Sequence, residues 1–173
     1  YRVMLEHAEE IVLMLGEILE IYEAKACFIA VEYIYENAIA ALETAIDKYQ
    51  IENLKIHKLG TNYPQGHDGL QIREVIGVEI PNEKYPADLN IIQSNVSTIK
   101  AIYDAGYEGR HYSKRVMTIS GEKLKEAKNL LVRIGTPVSH LLEECGGLED
   151  GDIQFINGGP MMGKVFDNLD APV

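Results

Sequence analysis

Helix-like and strand-like apolar periods alternate along this 173-residue chain, and the order of alternation changes near Gly109. Met4, Leu5, Ala8, Ile11, Val12, Leu15, Ile18, Leu19 and Tyr22 recur at i, i+3, i+4 and i+7, which predicts one amphipathic helix of about five turns. Ala26–Val31 is apolar throughout and reads as a buried strand. A second helix is predicted over Glu36–Tyr49, with Ala38, Ile39, Ala41, Leu42, Ala45 and Ile46 as its core stripe. Leu54–Leu59 alternates apolar and polar residues like a half-exposed strand. Gly60–Gly69 holds three glycines and a proline and reads as a loop. A short helix around Leu70–Ile76, a strand over Ala87–Gln93 and a helix over Val96–Ala105 complete the alternation expected of a layered α/β domain.

Beyond Gly109 the pattern is different. Arg115–Ser120 and Leu130–Ile134 read as strands. Thr136 at the N-cap and Pro137 at the first helical position open a helix carrying Val138, Leu141, Leu142 and Cys145, and Gly146-Gly147 ends it. Asp152–Ile156 gives a third strand. Strand, strand, helix, strand is the order of a small β-grasp module. The expected organisation is therefore a partial, layered Rossmann-like α/β domain over residues 1–110, followed by a β-grasp module and its C-terminal extension over 111–173.

Composition excludes several classes. A net charge of −11 repels a phosphate backbone, and no Lys/Arg cluster opposes it, so nucleic acid is not an expected partner. No apolar run approaches the roughly 18 residues that cross a bilayer. Cys27 and Cys145 lie far apart in apolar segments and read as small buried hydrophobes. Two isolated cysteines cannot hold an iron–sulfur cluster. The histidines, His7, His57, His67, His111 and His140, lack metal-ligand spacing. The chain opens on Tyr1 with a helical pattern already under way, the expectation for an interior piece of a larger soluble redox protein.

Three segments offer chemistry. Thr61–Gly69 joins a strand to a helix, where open α/β sheets bind ligands. Its glycines admit a flat ligand, Tyr63 can stack on it, and Asp68 can orient a polar edge; the ordinary reading is a connection with a helix cap at Asp68. Gln93–Thr98 can present N–H groups and hydroxyls to a phosphate, or simply cap a helix through Ser94 or Asn95. Gly158–Gly163 reads as a tight turn with methionine filling a gap. No Walker A sequence and no G-x-G-x-x-G fingerprint is present.

Taken in order, these segments resemble one family. Tyr63-Pro64-Gln65-Gly66, Pro86-Ala87-Asp88, Gln93-Ser94-Asn95-Val96-Ser97-Thr98, Leu131–Pro137 and Gly158–Gly163 are similar to the RnfC-like electron-transport subunits, relatives of the flavin-bearing 51 kDa-type subunit of respiratory complex I. The stretch from Arg115 to Ile156 resembles that family's SLBB domain. The resemblance implies a domain that holds FMN, receives hydride from NADH and feeds 4Fe-4S clusters elsewhere in the full protein. It implies a cofactor-binding set of Tyr63, Gly66, Asp68, Asn95 and Thr98, with no catalytic residue among them. Asp68 stands where relatives carry Glu, and His67 departs from the expected Gly or acidic neighbour. The family's G-x-G-G-x-G-F-P loop is not among these residues, so weak FMN retention by this segment alone is expected. Other subunits of an electron-transfer complex and a redox protein are the implied partners, in the cytoplasm or at the cytoplasmic face of a membrane complex. The alternative is a non-catalytic scaffold that docks redox partners or binds a soluble ligand, as in an amino-acid or cobalamin reductase system.

Overall fold

The first amphipathic segment folds as two helices, α1 (Arg2–Glu6) and α2 (Ala8–Ile21), where the apolar period predicts one. His7 lies between them at φ −130° and ψ 33°, outside the helical basin. Its Nδ1 sits 3.1 Å from Glu10 Oε1, so the ring engages the first turn of the second helix. The stripe crosses the break intact, because Met4, Ala8, Ile11, Val12 and Leu15 are all buried.

The computed structural model describes residues 1–159 and 162–173, which form two compact units, Tyr1–Arg110 and His111–Val173. In the first, β1 (Cys27–Glu32) pairs in parallel with β2 (Leu54–Leu59), Cys27 opposite Leu54 and Glu32 opposite Leu59. Parallel neighbours need a crossover, and α3 (Glu36–Tyr49) supplies it. Helices α1 and α2 pack against α3 and against α5 (Val96–Glu108). The resulting core joins Ile11 and Val12 to Ala38 and Leu42, Ile29 and Val31, Leu54 and Ile99. Each such large side chain contributes about 1.5–3 kcal/mol through burial. Gly16 permits the close approach of α2 to the end of α3, since a Cβ there would stand 2.8 Å from Ile51 Cδ1.

Polar clips line this core without entering it. Lys48 Nζ donates to both Glu9 oxygens at 2.8 Å, and Tyr49 donates to Glu9 Oε2 at 2.8 Å. Tyr107 donates to Glu17 Oε1 at 2.9 Å. Cys27 is only half-buried, short of the full burial its apolar neighbours predict, yet burial still pushes its thiol pKa up.

Helix α4 (Asp68–Ile76) ends at Gly77, whose φ of +73° closes the helix in the left-handed region. The strand predicted over Ala87–Gln93 does not form. Pro86–Leu89 is a 3₁₀ turn instead: Pro86 fixes φ at its start, Asp88 Oδ2 accepts from the Tyr85 N–H at 2.8 Å, and Asn90 turns left-handed at φ 56°. Turn chemistry overrides the apolar run Ile91-Ile92.

In the second unit, β3 (Lys114–Ile119) pairs antiparallel with β4 (Lys128–Arg133), and α6 (Val138–Glu144) follows. Pro137, not Thr136, occupies the N-cap of α6. The Thr136 hydroxyl turns back to donate to the Arg133 carbonyl at 2.8 Å, closing the turn after β4. The third strand, β5 (Phe155–Asn157), begins later than Asp152 and pairs with an unanticipated β6 (Lys164–Phe166). Between them, Pro160 and Met161 lie outside the described residues, and so does that part of the tight turn expected over Gly158–Gly163. Met162 is 87% exposed and fills no gap. Gly163 donates its N–H to the Gly159 carbonyl at 2.6 Å, and a Cβ at 163 would overlap Ile156. Among the described residues, no helix is long and apolar enough to cross a membrane.

Candidate functional site

The parallel strands β1 and β2 leave the sheet on the same edge, held by the Tyr33 N–H donating to the Leu59 carbonyl at 2.9 Å. The carboxyl edge of parallel strands is where open α/β sheets place ligands. From β2 the chain enters the Gly60–His67 loop, which folds back onto α4. His67 N–H donates to the Pro64 carbonyl at 3.1 Å, and Gln71 N–H donates to the His67 carbonyl at 2.9 Å. Gln65 Nε2 donates to Glu74, further along the helix. These contacts hold the loop while leaving Tyr63, which is 71% exposed, with a free ring face.

Asp68 is the first residue of α4 and makes no cap; the N-cap is His67, with an extended backbone and no capping side-chain bond. Gly66 is informative because nothing among the described residues demands a glycine there. Its φ is not positive, and a Cβ built on it would meet nothing within 4 Å. The open space above its Cα suits the approach of a flat group.

The second segment is organised by α5. Asn95 is its N-cap, with Oδ1 accepting from the Ser97 N–H at 3.1 Å, and the Thr98 N–H donates to the Asn95 carbonyl at 2.9 Å. Two of the helix's first N–H groups are therefore already engaged. The segment carries exposed hydroxyl residues Ser94, Ser97 and Thr98 and the exposed amide of Asn95. No acidic residue occupies the first turn of α5, so its positive end is not neutralised locally.

Two residues outside the expected set join these segments. Gln93 Nε2 donates to Gln71 Oε1 at 2.6 Å, bridging 22 residues of sequence between α4 and the approach to α5. Gln93 Oε1, at the other end of the same amide, is buried and has no hydrogen-bond partner among the described residues. Leaving a buried carbonyl unmatched costs about 1–3 kcal/mol, so an orphan of this kind calls for an explanation. A uniform helix-face or strand pattern could not reveal Gln71; Gln93 at least lies inside a polar segment after an apolar run.

The arrangement fits FMN in kind. It offers an exposed aromatic face at Tyr63, open space over Gly66, hydroxyls and an unneutralised helix end for a phosphate, and one unsatisfied buried acceptor. Asp68 supplies a carboxylate at the start of α4. A shallow groove of about 710 Å³ lies elsewhere, lined by Leu5, Glu9, Leu13, Ala41 and Tyr103 among others. Its lining also includes Glu6, Glu10, Thr44 and Tyr49, and its glutamates would repel a flavin phosphate. Among the described residues, no three His, Cys, Asp or Glu side chains are close enough to hold a metal ion.

The Nuo51 FMN-binding domain family matches residues 1–104, and the SLBB domain family matches residues 116–165. A subunit of the proton-translocating ferredoxin:NAD(+) oxidoreductase complex of Clostridium ljungdahlii is 38% identical over 173 residues, all of this chain and 37% of that protein. A subunit of the ion-translocating oxidoreductase complex of Rhodobacter capsulatus is 34% identical over 172 residues, 99% of this chain and 33% of that protein. A subunit of the Na(+)-translocating ferredoxin:NAD(+) oxidoreductase complex of Acetobacterium woodii is 32% identical, across all of this chain and 39% of that protein. The chain thus spans little more than a third of the length of these relatives. It belongs to the Nuo51 FMN-binding domain family, in the RnfC-like group in which that domain is followed by an SLBB domain.

Proposed function

We propose that this chain supplies one wall of a flavin site in an electron-transfer subunit. In the full protein that subunit takes electrons from NADH through FMN and passes them to iron–sulfur clusters. The observation that carries the reading is the match of residues 1–104 to the FMN-binding domain, over the same residues that hold both loops. The names of the relatives, which are subunits of ferredoxin:NAD(+) oxidoreductase complexes, support NAD-linked electron transfer and other subunits as partners.

When bound, FMN accepts an electron pair as hydride and releases electrons singly, the conversion that links a nicotinamide to one-electron clusters. This chain's residues bind and orient. Tyr63 covers a ring face, Gly66 leaves the space for it, and Asp68 orients a polar edge. Asn95 and Thr98, at the start of α5, hold the phosphate end through an amide and a hydroxyl. None of these side chains donates or removes a proton.

The test is a fluorescence titration of the full-length protein with FMN. Saturable quenching, weakened about tenfold by Gly66→Val, supports the reading. Quenching that never saturates, or that ignores Gly66→Val, contradicts it. A scaffold role for the SLBB unit finds support in one feature, the exposed cross-strand pair Val116 and Leu131 on the β3–β4 ribbon. That role adds docking to the flavin reading and does not replace it.

A further inference from the structure

The unmatched end of Gln93 is the feature that the fold does not explain. An amide carries an acceptor and two donors, and a buried one normally satisfies both ends. Here one donor is committed to Gln71 Oε1 at 2.6 Å, which restrains the Gln93 amide. The oxygen then meets no donor among the described residues. Gln71 is itself anchored, since its backbone N–H is tied to the His67 carbonyl at the end of the Tyr63 loop. Gln93 stands two residues before the Asn95 cap. The pair therefore links the loop that carries Tyr63 and Gly66 to the start of α5 and holds a free acceptor at the junction.

We infer that Gln93 is a ligand-positioning residue of the flavin site: its Oε1 accepts a hydrogen bond from an N–H or O–H of the bound flavin, and Gln71 holds it in the orientation to do so. The inference rests on the flavin reading of the same loops. A neutral amide suits this place. It offers an acceptor without adding charge near a phosphate, and it keeps a donor for Gln71, which a carboxylate at 93 would lack.

The experiment uses the full-length protein and FMN as the probe, with the wild type, Gln93→Leu, Gln93→Glu and Gln71→Leu. Fluorescence quenching gives the affinity, the visible spectrum of the bound flavin reports its hydrogen bonding, and melting of the flavin-free proteins controls for folding. One neutral hydrogen bond contributes about 0.5–1.5 kcal/mol, so Gln93→Leu should weaken FMN about 2- to 13-fold and shift the bound-flavin spectrum. Gln93→Glu adds a charge near the phosphate and loses the donor to Gln71, so it should weaken FMN at least as much as Gln93→Leu. Gln71→Leu leaves the acceptor in place but unaimed, and should lose less than Gln93→Leu. Unchanged affinity and spectrum in Gln93→Leu overturn the inference and leave the flavin reading standing. Equal losses in Gln93→Leu and Gln71→Leu with an unshifted spectrum also overturn it, since they describe a purely structural bridge. Absence of FMN binding in the wild type overturns both.

Discussion

The two units are stabilised in different ways. In Tyr1–Arg110, buried residues from four helices and two strands make one continuous cluster. In His111–Val173 the buried hydrophobic side chains among the described residues are Val132, Leu141 and Cys145. That unit relies on backbone pairing: the β3–β4 and β5–β6 ladders and its last residues, where Gly135 N–H donates to the Val173 carbonyl at 2.7 Å and Val173 N–H returns to Thr136 at 3.0 Å. A large shared core can carry irregular, exposed loops at one edge, since those loops are not its main source of stability. A unit with three buried side chains has little such reserve.

The largest effect that sharpens this contrast is Leu141→Ala. Its cost of about 2–5 kcal/mol falls on a unit with few other buried contacts, so hydrogen exchange should show residues 111–173 losing protection together. Leu42→Ala removes similar energy from the first unit, but the surrounding cluster should keep residues 1–110 cooperatively folded with a lowered melting temperature. Equal loss of protection in both variants would mean that the two units have the same reserve of buried contacts. Gly66→Val is expected to weaken FMN about tenfold with an unchanged melting temperature, because a Cβ there meets no atom of the described residues within 4 Å. A fall in melting temperature would mean that the glycine serves the fold.

The smallest effect concerns the Glu9–Lys48–Tyr49 clip. Hydrogen bonds from Lys48, then Tyr49, hold the Glu9 carboxyl below the ordinary carboxylate range. A group lowered in the folded state stabilises above its unfolded pKa, and that stability is lost as pH falls through the folded value. Lys48→Met should therefore flatten the acid side of the stability profile slightly, measured by urea unfolding between neutral pH and about pH 3. A steeper acid side would reverse the sign of the argument.

Much of the first unit was legible in the sequence because its signals are strong and local. The stripe Ala38–Ile46 marks α3, and the alternation Leu54–Leu59 marks β2. The break at His7 left no trace, since the apolar stripe runs straight across it. Ile91-Ile92 suggested a strand because apolar runs weigh more in such a reading than Pro86, Asp88 and Asn90, whose side chains and backbone angles build a turn. The β-grasp pattern was visible in β3 and β4, whereas β6, three residues long after a glycine-rich turn, is too short for a period. In the candidate site, the polar loops stood out by their glycines and caps. The Gln71–Gln93 bridge did not, because a pair of neutral side chains 22 residues apart follows no period and carries no charge.

The loops at 61–68 and 93–98, on the well-packed unit, are proposed to form a wall of a flavin site. Hydrogen–deuterium exchange of the full-length protein with and without FMN tests it most directly. The account predicts that FMN slows exchange in those two segments and leaves the β3–β4 ribbon unchanged. Saturating FMN that protects neither segment would contradict it.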